Sequence, residues 1–415
     1  MMKIYSTDIK IRNEIFDKSI LASNSSALVL YFVWGFVFLA TLVYCFNLYI
    51  TIMGQTFYDL YGQSRLCLFA NHGFNPYKFI GTEIEPVKNF GMIPKFWGTT
   101  PWGLLLGNVF YPGTTSFYVS KIIFSLISTF ILLCTSVCIF FRVKKISLSL
   151  AIFIFFFLVF DTNYAHACLS GNAGGMISCL LLMAFVFVES KPFMSGVLIA
   201  FAMVKPQIAI PICLVFLLYK KFYPIFVAAI IDVIAVVWVS VRVNISPVDL
   251  FMDFLKLKTG GPGHFDGIFT LLSFYVENRT VALLLSMVFG MLFLLVTYRY
   301  LVGKLFYKAY SITCIISVIW CYAFDNDYAV LIVPALLCLW NGLASSDFVE
   351  KNYWMFCAFY VYFSALIVRF LTTLFSLGAY SFFNPWWVAK TLYSVGLVLV
   401  AVSLLVNKEI RFKMK

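Results

Sequence analysis

Residues 57–77 read FYDLYGQSRLCLFANHGFNPY and follow directly on the first long apolar run of the chain. Asp59 is the first acid after that run. Arg65, Asn71, His72 and Asn75 crowd into the next few turns before Pro76 and Tyr77 close the segment. A carboxylate at the end of a membrane helix is costly if it faces lipid, so the segment reads as the wall of a wet cavity. A solvated loop with one acidic residue would carry the same chemistry. The rest of the chain bears on the choice.

Working outward, composition sets the class. The 415 residues are 62% hydrophobic, 12% charged and 19% aromatic, with mean hydropathy +0.95. Soluble domains average about 25% charged residues, so the chain reads as an integral membrane protein. Apolar runs of roughly 20 residues recur throughout, which means helices rather than a barrel. The polar stretches 54–116 and 242–279 are too short for a typical independent domain, so residues 1–415 form one membrane domain. The net charge of +12 could point to nucleic acid. The basic residues instead sit at the ends of apolar runs, as topology requires, and nucleic acid is excluded as a partner. Of the eleven cysteines, Cys134, Cys138, Cys179, Cys213, Cys314 and Cys338 lie inside apolar runs, and there is no CxxC. Neither a zinc site nor a disulfide framework is expected. The acids and polar lead before the first run do not read as a cleaved signal peptide.

Taken in order, residues 1–26 carry Lys3, Lys10, Arg12 and Lys18 and are placed in the cytoplasm by the positive-inside rule. Spans are expected at about 27–53, 117–141, 146–160, 173–188, 193–204, 208–219, 222–241, 280–303, 309–323, 328–341, 353–374 and 387–406. The fold expected is all-α and polytopic, with about twelve spans. Loop 54–116 is external, and its piece Asn89–Trp102 reads as short interfacial helices. Loop 242–279 is also external, and 407–415 is a basic cytoplasmic tail. The runs at 193–204 and 208–219 are too short to cross alone. Lys205-Pro206-Gln207 between them predicts a helix break in or beside a cavity. This count gathers Asp59, His166, Asn172, Lys205, His264, Asp325 and Asp327 at the outer face. A transporter would more naturally scatter such groups at the midplane between repeated halves, and no internal repeat is evident.

Each constellation has a bland alternative. Asp59 has the chemistry to take the proton of an acceptor hydroxyl in glycosyl transfer from a lipid-phosphate donor. One carboxylate suffices, because a leaving phosphate needs no acid. Lys205 could hold a phosphate as a point charge, or it could snorkel to the interface. Asp325 and Asp327 could bind sugar hydroxyls or a divalent cation, or form a polar loop tip. His264, in Gly260-Gly261-Pro262-Gly263, is weaker, since lone histidines are more often structural and the glycines mark a flexible loop. His72 and His166 are weaker still. Gly171-Asn172-Ala173-Gly174-Gly175 resembles no phosphate loop, and its small residues would allow close helix packing.

At these residues the chain resembles glycosyltransferase family 87, the polyprenyl-phosphate-mannose-dependent membrane transferases of the GT-C class. Asp59-Leu60-Tyr61 through Asn75-Pro76-Tyr77 is similar to the family's acidic first external loop with its Asn-Pro-Tyr type ending. Gly171-Asn172, then Gly196, then Lys205-Pro206 is similar to its Gly-Gln-x-Asn to Lys-Pro region. Trp320 through Asp325-Asn326-Asp327-Tyr328 stands where a tryptophan and paired histidines are usual. The resemblance implies a GT-C-like fold, Asp59 as catalytic base, an inverting reaction, a lipid-phosphate sugar donor and no metal or other cofactor. Substrate contacts are expected from Arg65, Asn75, Tyr77, Asn172, Lys205, Gln207, His264, Asp325 and Asp327. There are two departures: no Gln stands beside Asn172, and Asp325-Asn326-Asp327 replaces the histidines, so that Lys205 or His264 would supply the cationic contact. The expected partners are the polyprenyl-phosphate sugar, a glycan or glycolipid acceptor, and membrane lipids. The expected location is a multi-pass protein of the bacterial plasma membrane with its site outside. A transporter or flippase of lipid-linked saccharides is the alternative. An O-acyltransferase usually wants an intramembrane histidine, and none of the three histidines falls mid-span.

Overall fold

The computed structural model describes residues 58–80, 100–113, 116–142, 167–168, 170–258, 272, 276, 278–302, 306–319, 325–345, 347–363, 367–368, 371 and 385–406. They are all-helical, with no β-strand among them. The α-helices are α1 (Tyr58–Asn71), α2 (Gly103–Leu106), α3 (Phe117–Arg142), α4 (Gly174–Phe187), α5 (Pro192–Ala202), α6 (Pro206–Leu218) and α7 (Phe222–Val243). They continue as α8 (Pro247–Lys258), α9 (Arg279–Leu301), α10 (Phe306–Ser317), α11 (Ile332–Ala344), α12 (Phe348–Tyr362) and α13 (Pro385–Val406). Short 3₁₀ turns cover Pro76–Lys78, Gly107–Val109 and Asp325–Leu331.

Among the described residues, three helices are long and apolar enough to cross a membrane: α3 over Phe117–Cys138, α7, and α9 over Leu284–Leu301. Their outer faces are apolar, with Leu126 and Phe130 on α3 and Val233 and Ile234 on α7 all more than half exposed. Such faces suit hydrocarbon and not water. In α3 the hydroxyls of Thr129, Thr135 and Ser136 bond back to the carbonyls of Ser125, Ile131 and Leu132, so these three hydroxyls need no water.

Several of the other helices are shorter. α4, α5 and α6 run 14, 11 and 13 residues, against about 20 for a full crossing. The twelve crossings expected from the sequence are therefore not all met by helix length among the described residues. The expected spans at 27–53 and 146–160 lie outside them, as do most of Asn89–Trp102, His166, His264 and the tail.

Packing centres on α4. It lies against α3, α5 and the 3₁₀ turn at 325–331, while α5 packs on α7, α6 on α10, and α11 on α12. Gly196 allows the close approach of α5 to α7, because a Cβ there would meet Val227 Cβ at 2.6 Å and Pro224 O at 2.7 Å. A smaller cluster joins Leu66, Phe69 and Tyr77 to Val239, Val243 and Phe254, seating α1 under the ends of α7 and α8.

Helix α8 lies within 242–279, the stretch expected to be an external loop. Its start is set locally: Pro247 takes the first position, where no N–H is required. Ser246 Oγ accepts from Asp249 N at 3.0 Å and donates to Asp249 Oδ2 at 2.7 Å. Ser246 is thus a side-chain N-cap, and Asp249 adds a bond to the capping hydroxyl itself.

Candidate functional site

The site begins with the helix break. Proline at residue 206 lacks an N–H and starts α6 afresh, so the chain between Ala202 and Pro206 turns, with Lys205 at the junction. The carbonyl of Met203, freed by the break, accepts from Trp102 Nε1 at 2.8 Å. Lys205 is buried, and its side chain turns inward.

The loop before α4 is equally constrained. Gly171 has φ +71, a left-handed conformation that favours glycine. The next three N–H groups are all satisfied. Asn172 N donates to Ala167 O at 2.8 Å, Ala173 N to Tyr111 Oη at 2.8 Å, and Gly174 N to Asn172 Oδ1 at 2.8 Å. Burial pushes the Tyr111 hydroxyl far above the usual tyrosine range, so it stays neutral.

These two features meet two acids. Asn172 Nδ2 donates to Asp59 Oδ2 at 2.8 Å, across 113 residues of chain. Lys205 Nζ donates to Asn172 Oδ1 and forms an ion pair with Asp327 Oδ1. Gln207 Nε2 reaches Asp327 Oδ2 at 3.4 Å. Asp327, in the 3₁₀ turn, has no exposed surface, and Asp59 in the first turn of α1 is partly exposed. The result is a polar chain from Asp59 through Asn172 and Lys205 to Asp327 and Gln207, set in an apolar bundle.

Helix length sets its distance from the other end of the bundle. Glu189, just past α4, pairs with Lys221, just before α7, so these two turns share one end of the bundle. Asn172 stands at the other end of α4. At about 1.5 Å per residue, fourteen residues place the polar chain about 21 Å from that pair.

The described contacts of the other expected site residues are different ones. Arg65 is buried on α1, its guanidinium 5.0 Å from the Tyr61 ring centre. Asn75 is occupied structurally: its Oδ1 accepts from Tyr77 N at 3.1 Å, and its Nδ2 donates to Asp253 Oδ2 at 2.9 Å. Tyr77 is buried against Phe254 in the smaller cluster. Asp325 opens the 3₁₀ turn. His264 falls outside the described residues.

Two expectations change in physical content. Lys205, read as a lone phosphate cation, enters the site already offset by Asp327. Asp327, read as a contact for sugar or a cation, is fully enclosed in that ion pair. Trp102, Tyr111 and Asp253 were not singled out from sequence. The one available hint was polar-tipped aromatic residues in a stretch rich in glycine and proline, where such groups find backbone partners. No group of three or more His, Cys, Asp or Glu suited to a metal occurs among the described residues. The chain matches no family model, no curated protein and no solved structure.

Proposed function

We propose that the protein is a GT-C-like inverting glycosyltransferase of about twelve spans. It moves a hexose, with mannose the first candidate, from a polyprenyl-phosphate carrier to a hydroxyl of a lipid-linked or cell-envelope glycan. The reaction belongs on the outer face of a bacterial plasma membrane. Asp59 is the general base. The acceptor oxygen attacks the anomeric carbon, the bond from that carbon to the phosphate oxygen breaks, and its electron pair leaves on the polyprenyl phosphate. The acceptor proton passes to Asp59.

The observation that carries this reading is the bond between Asp59 and Asn172 within a polar chain drawn from four distant segments. Holding ionisable groups together inside an apolar bundle is costly and marks a working site. Lys205 would contact the donor phosphate only by sharing or giving up Asp327. That makes it a cation whose charge becomes available as negative charge develops on the leaving group.

The test is Asp59→Asn in purified protein, assayed with a polyprenyl-phosphate hexose. Loss of the base should lower transfer about a hundredfold or more, with donor binding retained. Near-normal turnover would sink the assignment. Saccharide transport that survives the substitution would favour the flippase alternative.

A further inference from the structure

The amide of Asn172 has only one chemically sensible orientation. Its Oδ1 faces the Lys205 ammonium and the Gly174 N–H, both of which can only donate. Turning the amide over would set its NH₂ against two donors. The orientation, usually a matter of assignment, is here dictated by its neighbours, and it obliges Nδ2 to donate to Asp59.

Lys205 is fixed in its turn. Asp327 holds the ammonium from the far side, and Gln207 reaches the same carboxylate. The backbone adds a second constraint, since Gly171 supplies the turn and Tyr111 takes the N–H of Ala173. The Lys205–Asp327 pair thus acts on Asp59 through one side chain. An ammonium on the amide oxygen also polarises the amide and strengthens the donation from its nitrogen.

We propose that Asn172 is a positioning residue for the base, an amide locked by Lys205 and Gly174 so that its N–H fixes the Asp59 carboxylate for proton transfer. This rests on the reading of Asp59 as general base, and it departs from a direct contact of Asn172 with substrate.

The isosteric variant Asn172→Asp separates the two halves of the amide. A carboxylate there still accepts from Lys205 and Gly174 N, so a purely structural role would survive. It can no longer donate to Asp59 and repels it instead. Transfer is assayed with a polyprenyl-phosphate hexose. The expected result is a kcat lower by about 10–100-fold, the range for outer partners that orient a reacting group, with donor KM within about twofold of wild type. The swap Asp59→Asn/Asn172→Asp should regain the thermal stability lost in Asn172→Asp, because the bond reforms with donor and acceptor exchanged, while transfer stays absent. Wild-type kcat in Asn172→Asp, alongside an inactive Asp59→Asn, would overturn the positioning role and leave the base intact. Wild-type transfer in Asp59→Asn would instead overturn the base reading itself. Should Asn172→Asp fail to fold, Asn172→Ser serves: its hydroxyl can still take the Gly174 N–H but is too short to reach Asp59. The same loss of kcat is expected, and wild-type kcat there overturns the proposal.

Discussion

Asp327→Asn is expected to cost most of the protein's margin of stability, and the size follows from burial. The Asp327 side chain has 0% exposure and that of Lys205 11%, so neither charge has water to fall back on. Removing one partner of such a pair typically costs about 3–5 kcal/mol, because the other charge is left buried and unmatched. Asn172 Oδ1 would remain near the ammonium, but it carries no formal charge to offset it. Lys205→Met removes the cation paired with the enclosed Asp327 carboxylate, and a loss of the same order is expected. The double variant Lys205→Met/Asp327→Leu removes both charges and keeps volume, and such replacements are often neutral or stabilising. It should therefore be more stable than either single variant, although it will not transfer sugar. Unfolding by titration of a denaturing detergent into protein held in a mild one measures all three. Single losses that simply add in the double variant would refute the argument, since additivity is the behaviour of sites that do not interact.

Three further outcomes are expected. Gly196→Ala places a Cβ 2.6 Å from Val227 Cβ and 2.7 Å from Pro224 O, so α5 and α7 must part at a cost of about 1–3 kcal/mol; an unchanged unfolding midpoint would count against that close approach. Tyr111→Phe strips the acceptor from Ala173 N–H and should cost about 1–3 kcal/mol for a buried donor left unmet, with reduced transfer, both read in purified protein. A cysteine at His72, which is exposed beyond the end of α1, should react with an impermeant thiol reagent added outside cells; one at Ser190, beside the Glu189–Lys221 pair, should react only after permeabilisation, and the reverse pattern would invert the topology.

How much of this was legible in the sequence depended on whether the cause was local. The break at Lys205-Pro206 was, because proline at a helix start acts through its own ring and missing N–H, and α6 begins at Pro206. The ends of α4, α7 and α9 followed from runs of apolar residues closed by polar ones. Helix α8 was hidden in a polar stretch, where Ser246, Pro247 and Asp249 were the only signal. Asn75 illustrates the opposite difficulty. In a short polar motif it invites a role toward substrate, yet capping Tyr77 N and bonding Asp253, 178 residues away, employs both ends of its amide.

The pairing of Lys205 with Asp327 spans 122 residues and leaves no period in the chain. A charge rule nevertheless points to it. A lysine ending one short apolar helix and starting another cannot stay ionised in a bundle without a counter-charge. Among the groups that the sequence gathers at one face, the acids are Asp59, Asp325 and Asp327. The contact with Asp59 is made through Asn172, which leaves that carboxylate partly exposed, while the fully enclosed acid takes the ion pair. The division has a physical consequence: the acid that neutralises the lysine can be sealed from water, whereas an acid serving as base, the role proposed for Asp59, must remain open to its acceptor. The partly exposed position of Asp59 and the enclosure of Asp327 are the two halves of that requirement, and they support assigning the proton transfer to the first and not to the second.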